Sequence, residues 1–90
     1  MAFIQIPVPM RSYVDGQRLV RLGGSNAGEA LKDLLDRYPA LRPHLTREDG
    51  QLRAFANLFL RGENIRDLNG MDTPVGEDEE IRLVLSIAGG

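Results

Sequence analysis

The sequence predicts an α+β fold: one mixed sheet of four to five strands with one main helix packed across it. Two observations carry this. Near the end of the chain, Ile81, Leu83, Leu85 and Ile87 recur with period two, the mark of a strand with one buried face. In the first half, Ala27, Ala30, Leu31, Leu34, Leu35 and Tyr38 fall at i, i+3, i+4, i+7, i+8 and i+11, which places them along one face of a helix. Strand-rich segments on both sides of that helix give the order in which a helix covers one face of a sheet. First and last strands in such an order pair side by side in parallel, linked through the helix-bearing crossover.

The elements follow in order. Ala2 to Val8 sets Ile4, Ile6 and Val8 against Phe3, Gln5 and Pro7, and reads as a strand that Pro7 confines to an edge-tolerant position. Asp15-Gly16 is a turn signal and Gln17 to Leu22 a second apolar run, so the two form a hairpin with a loop of several residues. Gly23-Gly24 ends that run. Asn26, followed three residues later by Glu29, resembles a capping box that opens the helix, and Pro39 stops it. Ala40 to Asp49 reads as a connector with one short helical turn. From Arg53 to Arg61, Ala54, Ala56, Leu58 and Leu60 share one face of a strand, against Phe55, Asn57, Phe59 and Arg61. Arg61 to Asn64 is a turn, Ile65 to Leu68 a short strand or turn, and Asn69-Gly70 and Thr73-Pro74 mark loop before the final strand.

Ninety residues make one small domain, in which nearly every regular element must contribute a face to the core. The absence of cysteine excludes disulfides, thiolate metal sites and a cysteine nucleophile. A net charge of -2 argues against a general nucleic-acid binder, although ten of the eleven basic residues are Arg and Lys32 is the only lysine. Met1 to Pro9 has no basic start and is broken by Pro7 and Pro9, so it does not read as a signal peptide, and no apolar run approaches a membrane span. The expectation is a cytoplasmic protein without membrane attachment.

No catalytic constellation emerges. His44 has no Ser, Cys or second His spaced for a triad or a metal site, and reads as a surface or loop residue. Glu77, Asp78, Glu79 and Glu80 read as a solvated turn rather than a cation site. Gly23-Gly24 and Gly28 lack the Lys and Ser/Thr of a phosphate loop and belong to a capped helix entrance. The final Gly89-Gly90 adds no side chain to a core and costs the most backbone entropy to order, so it makes a poor anchor and a narrow finger. Residues 88–90 are expected to form a flexible tail on a domain of residues 1–87; fully extended, three residues reach roughly 10 Å.

Phe55-Ala56-Asn57-Leu58-Phe59-Leu60, Asn64-Ile65-Arg66-Asp67-Leu68, the acidic turn Gly76-Glu77-Asp78-Glu79-Glu80 and the Gly-Gly end together resemble the ubiquitin-like β-grasp proteins, and within them the prokaryotic sulfur carriers of the ThiS and MoaD type. The resemblance covers nearly the whole chain. Many MoaD-like tails carry a proline before the final small residues, where Leu85 stands here. The long connector from Pro39 to Arg53 is closer to MoaD-like and cysteine-pathway carriers than to the compact ThiS form.

The resemblance implies a β-grasp fold and a protein that is a substrate, not an enzyme. Its Gly90 carboxylate would be adenylated by a partner enzyme and converted to a thiocarboxylate, with Ala88 and Gly89 as the tail that enters the partner. ATP and Mg²⁺ would be used by that partner, with no cofactor held by this chain. Further partners would be a sulfur donor and a downstream sulfur-accepting synthase or hydrolase. Phe55, Phe59, Val84 and Ile87 are the candidate docking residues, because a regular strand cannot place Phe55, Phe59 or Val84 with its core-facing neighbours. Two alternatives stand beside this: a ubiquitin-like modifier conjugated through Gly90, and a non-covalent interaction domain.

Overall fold

The computed structural model describes residues 1–86. Ile87, Ala88, Gly89 and Gly90, which hold the expected tail and one of the expected docking residues, lie outside the described residues. Five strands form one sheet: β1 (Ala2–Gln5), β2 (Leu19–Leu22), β3 (Ala56–Leu60), β4 (Glu63–Asn64) and β5 (Glu80–Leu85), in the order β2-β1-β5-β3-β4. The main helix α1 (Ala27–Arg37) and a one-turn helix α2 (Arg42–Leu45) lie between β2 and β3 in sequence. β5 is central, parallel to β1 and antiparallel to β3.

The period-two pattern becomes a core through register. Val20 pairs with Ile4, Ile4 with Ile81 and Ile81 with Leu60, so one apolar row crosses four strands. All four are at most 2% exposed. The buried stripe of α1 (Ala27, Ala30, Leu31, Leu34 and Leu35) belongs to the same core. Its N-cap is Asn26, whose side chain accepts from the Glu29 amide at 2.8 Å. The reciprocal arm differs from an ideal capping box, since Glu29 reaches back one residue further and accepts from the Ser25 amide (2.7 Å) and hydroxyl (2.9 Å).

Three local expectations are corrected, and one left open between strand and turn, Ile65 to Leu68, is settled as turn. Val8 does not continue β1. Pro7 ends the strand, and Val8–Val14 form a 3₁₀ helix that leaves Val8 70% exposed while burying Met10 and Val14. The hairpin between β1 and β2 therefore carries a structured loop. Ala54 and Phe55 do not belong to β3 but to a turn closed by the Ala56 amide on the Arg53 carbonyl (3.0 Å), so both are exposed. Ile65–Asp67 is a 3₁₀ turn, with Asn64 capping the Arg66 amide at 3.0 Å. The short β4, read from the sequence as turn, pairs with β3 through a two-residue connection, Arg61-Gly62. Both connecting residues have positive φ (53° and 81°), as tight hairpins favour.

Candidate functional site

The sheet has a second face that α1 does not cover. Alternation puts Phe3, Gln5, Arg82, Val84, Phe59 and Asn57 there, opposite in direction to the core row. Phe59 lies directly across from Arg82 and Val84 across from Asn57, so Phe59 and Val84 are diagonal neighbours. Both are half-buried, and together with Arg61, Gly62, Glu80 and Arg82 they line a shallow depression. A second depression on the same side joins Val84 and Arg82 to Val8, Pro9 and Arg11.

Charged groups frame these apolar patches. Arg82 donates to Gln5 Oε1 at 2.9 Å across β5 and β1, and Arg11 donates to the Ile6 carbonyl at 3.0 Å. The Arg21 guanidinium lies 5.9 Å from the centre of the Phe3 ring, within range of a cation–π contact. Arg61 pairs with Glu79 at the rim. Glu79 also accepts from the Gly76 amide at 2.7 Å, and that bond, followed by Arg61, holds its carboxyl below the usual range. The acidic turn thus closes on itself. Among the described residues no group of His, Cys, Asp and Glu is arranged to hold a metal ion.

Of the expected docking residues, Phe59 and Val84 are brought together on the open face. Phe55 is 38% exposed in the turn before β3, and its carbonyl accepts from the Ser86 amide at 2.8 Å, so it lies beside the end of β5. Gly90, Gly89, Ala88 and Ile87 are outside the described residues. His44 is an exposed residue of α2 whose ring stacks on Tyr13 with centroids 4.5 Å apart.

A polar cluster next to the end of β5 was missed in the sequence. Asn57 is only 8% exposed, and its side chain donates to Ser86 Oγ at 2.8 Å and to the Phe55 carbonyl at 3.3 Å. Its amide oxygen accepts from Asn64 Nδ2 at 3.1 Å and from Arg66 Nη1. Arg66 Nη2 also donates to the carbonyls of Ala56 (3.0 Å) and Arg53 (3.2 Å). The available signal was one amide side chain inside the otherwise apolar run Ala56–Leu60.

Fold and open face define the class: a ubiquitin-like β-grasp protein with a crossover helix on one side of the sheet and an exposed mixed apolar and basic surface on the other. No family model matches the chain. The sulfur carrier protein CysO of Mycobacterium tuberculosis is 26% identical over 89 residues, covering 97% of this chain and 96% of CysO. A chain of the crystal structure of an Amycolatopsis orientalis BexX/CysO complex superposes with a TM-score of 0.87 at 23% identity, over 100% of both chains. Small archaeal modifier protein 1 of Methanosarcina acetivorans superposes with a TM-score of 0.82 at 26% identity, over 99% of this chain and 95% of that one. The curated relatives are named as sulfur carrier proteins, and the ThiS/MoaD-like assignment made from the sequence fits them.

Proposed function

We propose that this protein is a sulfur carrier. The observation that supports the reading most strongly is likeness to CysO over essentially the whole length of both chains, on a shared fold. The chemistry starts at the Gly90 carboxylate, a poor acylating agent because its leaving group would be oxide. One carboxylate oxygen attacks the α-phosphorus of ATP and pyrophosphate leaves, forming an acyl adenylate. A sulfur donor then delivers hydrosulfide, which attacks the carbonyl carbon and gives its proton to solvent; a persulfide donor does so only with a second thiol that reduces the outer sulfur and ends as a disulfide. The bond from that carbon to the AMP oxygen breaks, AMP departs, and a thiocarboxylate remains on Gly90. The partner enzyme supplies the Mg²⁺ and the electrostatic clamp on the phosphates, while this chain supplies the substrate carboxylate. A sulfur-accepting synthase or hydrolase in cofactor or metabolite biosynthesis consumes the product, and the cytoplasm is the compartment proposed for the cycle.

The adenylating enzyme docks on the open sheet face through Phe59 and Val84, with Phe55 and Ile87 nearer the tail formed by Ala88 and Gly89. Absence of a resident cofactor on this chain belongs to the same reading. A protein partner is supported by the complex in which the A. orientalis relative was crystallised. Incubation with the adenylating enzyme, ATP and a sulfide donor should raise the intact mass by the exchange of one oxygen for one sulfur. Adding one residue after Gly90, or replacing Gly89 with Phe, should abolish that gain while the circular dichroism spectrum stays unchanged. A mass gain that persists in either variant overturns the mechanism.

A second reading, conjugation to proteins through Gly90, is favoured by likeness to small archaeal modifier protein 1. It shares the activation step and diverges afterwards. A high-molecular-weight ladder on blots of cells expressing the tagged protein supports it; a thiocarboxylate without a ladder leaves the carrier reading alone.

A further inference from the structure

The side chains at the end of β5 form a connected set. β5 pairs with β1 over Glu80 to Arg82 on one side and with β3 over Ile81 to Leu85 on the other. The register with β1 ends at Arg82, while that with β3 runs on to Leu85 opposite Ala56. Beyond Leu85, Ser86 is held, among the described residues, from the β3 side, by its amide on the Phe55 carbonyl and by its hydroxyl beneath the Asn57 amide. Asn57 has little freedom of its own. Its oxygen accepts from Asn64 and Arg66, its Nδ2 donates to Ser86 and the Phe55 carbonyl, and the residue is almost fully buried. A side-chain amide offers two donors and one acceptor oxygen, and here both ends are engaged. Arg66 is fixed in turn by three acceptors, two of them main-chain carbonyls of the segment leading into β3.

We propose that Arg66, Asn57 and Ser86 form a clamp that sets where the chain leaves the sheet, with Asn57 as the positioning residue that delivers residues 87–90 to the activating enzyme. The role rests on the reading of Gly90 as the activated end, whereas the clamp itself rests only on the hydrogen bonds. A polar side chain at the second residue of β3 is costly to bury unless it is bonded, and every bond it makes here leads to the end of β5 or to the residues that brace it. The clamp lies two residues before the tail of residues 88–90, so losing it frees the direction of departure without disturbing Phe59 or Val84. Misdirection of a reacting group lowers the rate of the chemical step more than it weakens docking.

The test uses the full chain with Ser86→Ala, Ser86→Thr and Asn57→Ala. Ser86 is exposed, so its variants keep the fold even if Asn57→Ala is destabilised. ¹⁵N heteronuclear NOEs at residues 86–88 of the free protein should fall in Ser86→Ala and Asn57→Ala and stay at the wild-type level in Ser86→Thr, which keeps the hydroxyl. In ATP–pyrophosphate exchange with the adenylating enzyme, kcat should fall about tenfold in Ser86→Ala with KM for the carrier unchanged, and Ser86→Thr should restore it. Unchanged NOEs in Ser86→Ala overturn the clamp. A rise in KM with kcat intact overturns its positioning role and makes Ser86 a docking residue. If wild-type protein supports no exchange, the carrier reading fails, and the NOEs still decide the clamp.

Discussion

At the level of single residues, Gly24 is the described glycine where an added Cβ meets the closest neighbour. Its φ is +107°, and a Cβ built there would lie 2.7 Å from Glu29 Cβ and 3.0 Å from the Ala30 amide nitrogen. Gly16 also has positive φ (78°) but open space around it. Gly16→Ala should therefore cost about 1–2 kcal/mol, the penalty of a left-handed L-residue alone. Gly24→Ala should cost more, because the start of α1 must also move; equal urea midpoints for the two variants would contradict this. Asn26→Ala removes the cap on the Glu29 amide and should cost about 1 kcal/mol. The cap was legible because its chemistry is local in sequence. Asn57 was not, since its partners come from two separate places in the chain, the turn holding Asn64 and Arg66 and the end of β5 at Ser86, and meet only through strand pairing.

Elements differ in what holds them. β5 has hydrogen-bonded neighbours on both sides, whereas β4 is two residues long and sits at the edge beside β3 alone. Amides of β5 and of the β3 residues that face it should exchange with deuterium only through global unfolding, and those of Glu63 and Asn64 orders of magnitude faster through local opening. Uniform protection across the sheet would show that β4 is held by more than its pairing. α1 and β5 were readable from the sequence because their periods, 3.6 and 2, extend over enough residues to exclude each other. The three-residue repeats of Val8–Val14 and Ile65–Asp67 carry no such long pattern, and Val8 imitated the alternation of β1 although its side chain points to solvent. Phe55 imitated β3 in the same way from the turn before it.

For the molecule as a whole, element order and one buried stripe on each element sufficed for the architecture, because a helix crossover between strands leaves few ways to close a single core. The open face was legible only as a set of misplaced apolar residues, since its Arg partners come from β2, β5 and two loops. What links distant parts of the surface is a group of carboxylates whose donors come from elsewhere. Asp33 is held low by Arg37 and then by the Gly23 amide, which ties α1 to the end of β2; Glu79 by the Gly76 amide and then by Arg61, which ties the acidic turn to the β3–β4 hairpin. Asp36 is lowered by Lys32 first, with Arg42 of α2 beside it, and Glu29 by the Ser25 amide and hydroxyl. A carboxyl whose folded pKa lies below its unfolded value contributes stability that is fully present above the unfolded value, about 4, and is lost as pH falls through the folded one. Stability should thus be level from about pH 7 to pH 5 as far as these groups are concerned, and decline below about pH 4. The double variant Asp33→Asn, Glu79→Gln removes two of the three that bridge elements: it should be less stable than wild type at pH 7, and the gap should narrow as the wild-type carboxylates protonate. Urea midpoints from pH 7 to pH 2 measure this, and an acid-side slope equal in both proteins would mean that these two carboxylates do not couple protonation to folding.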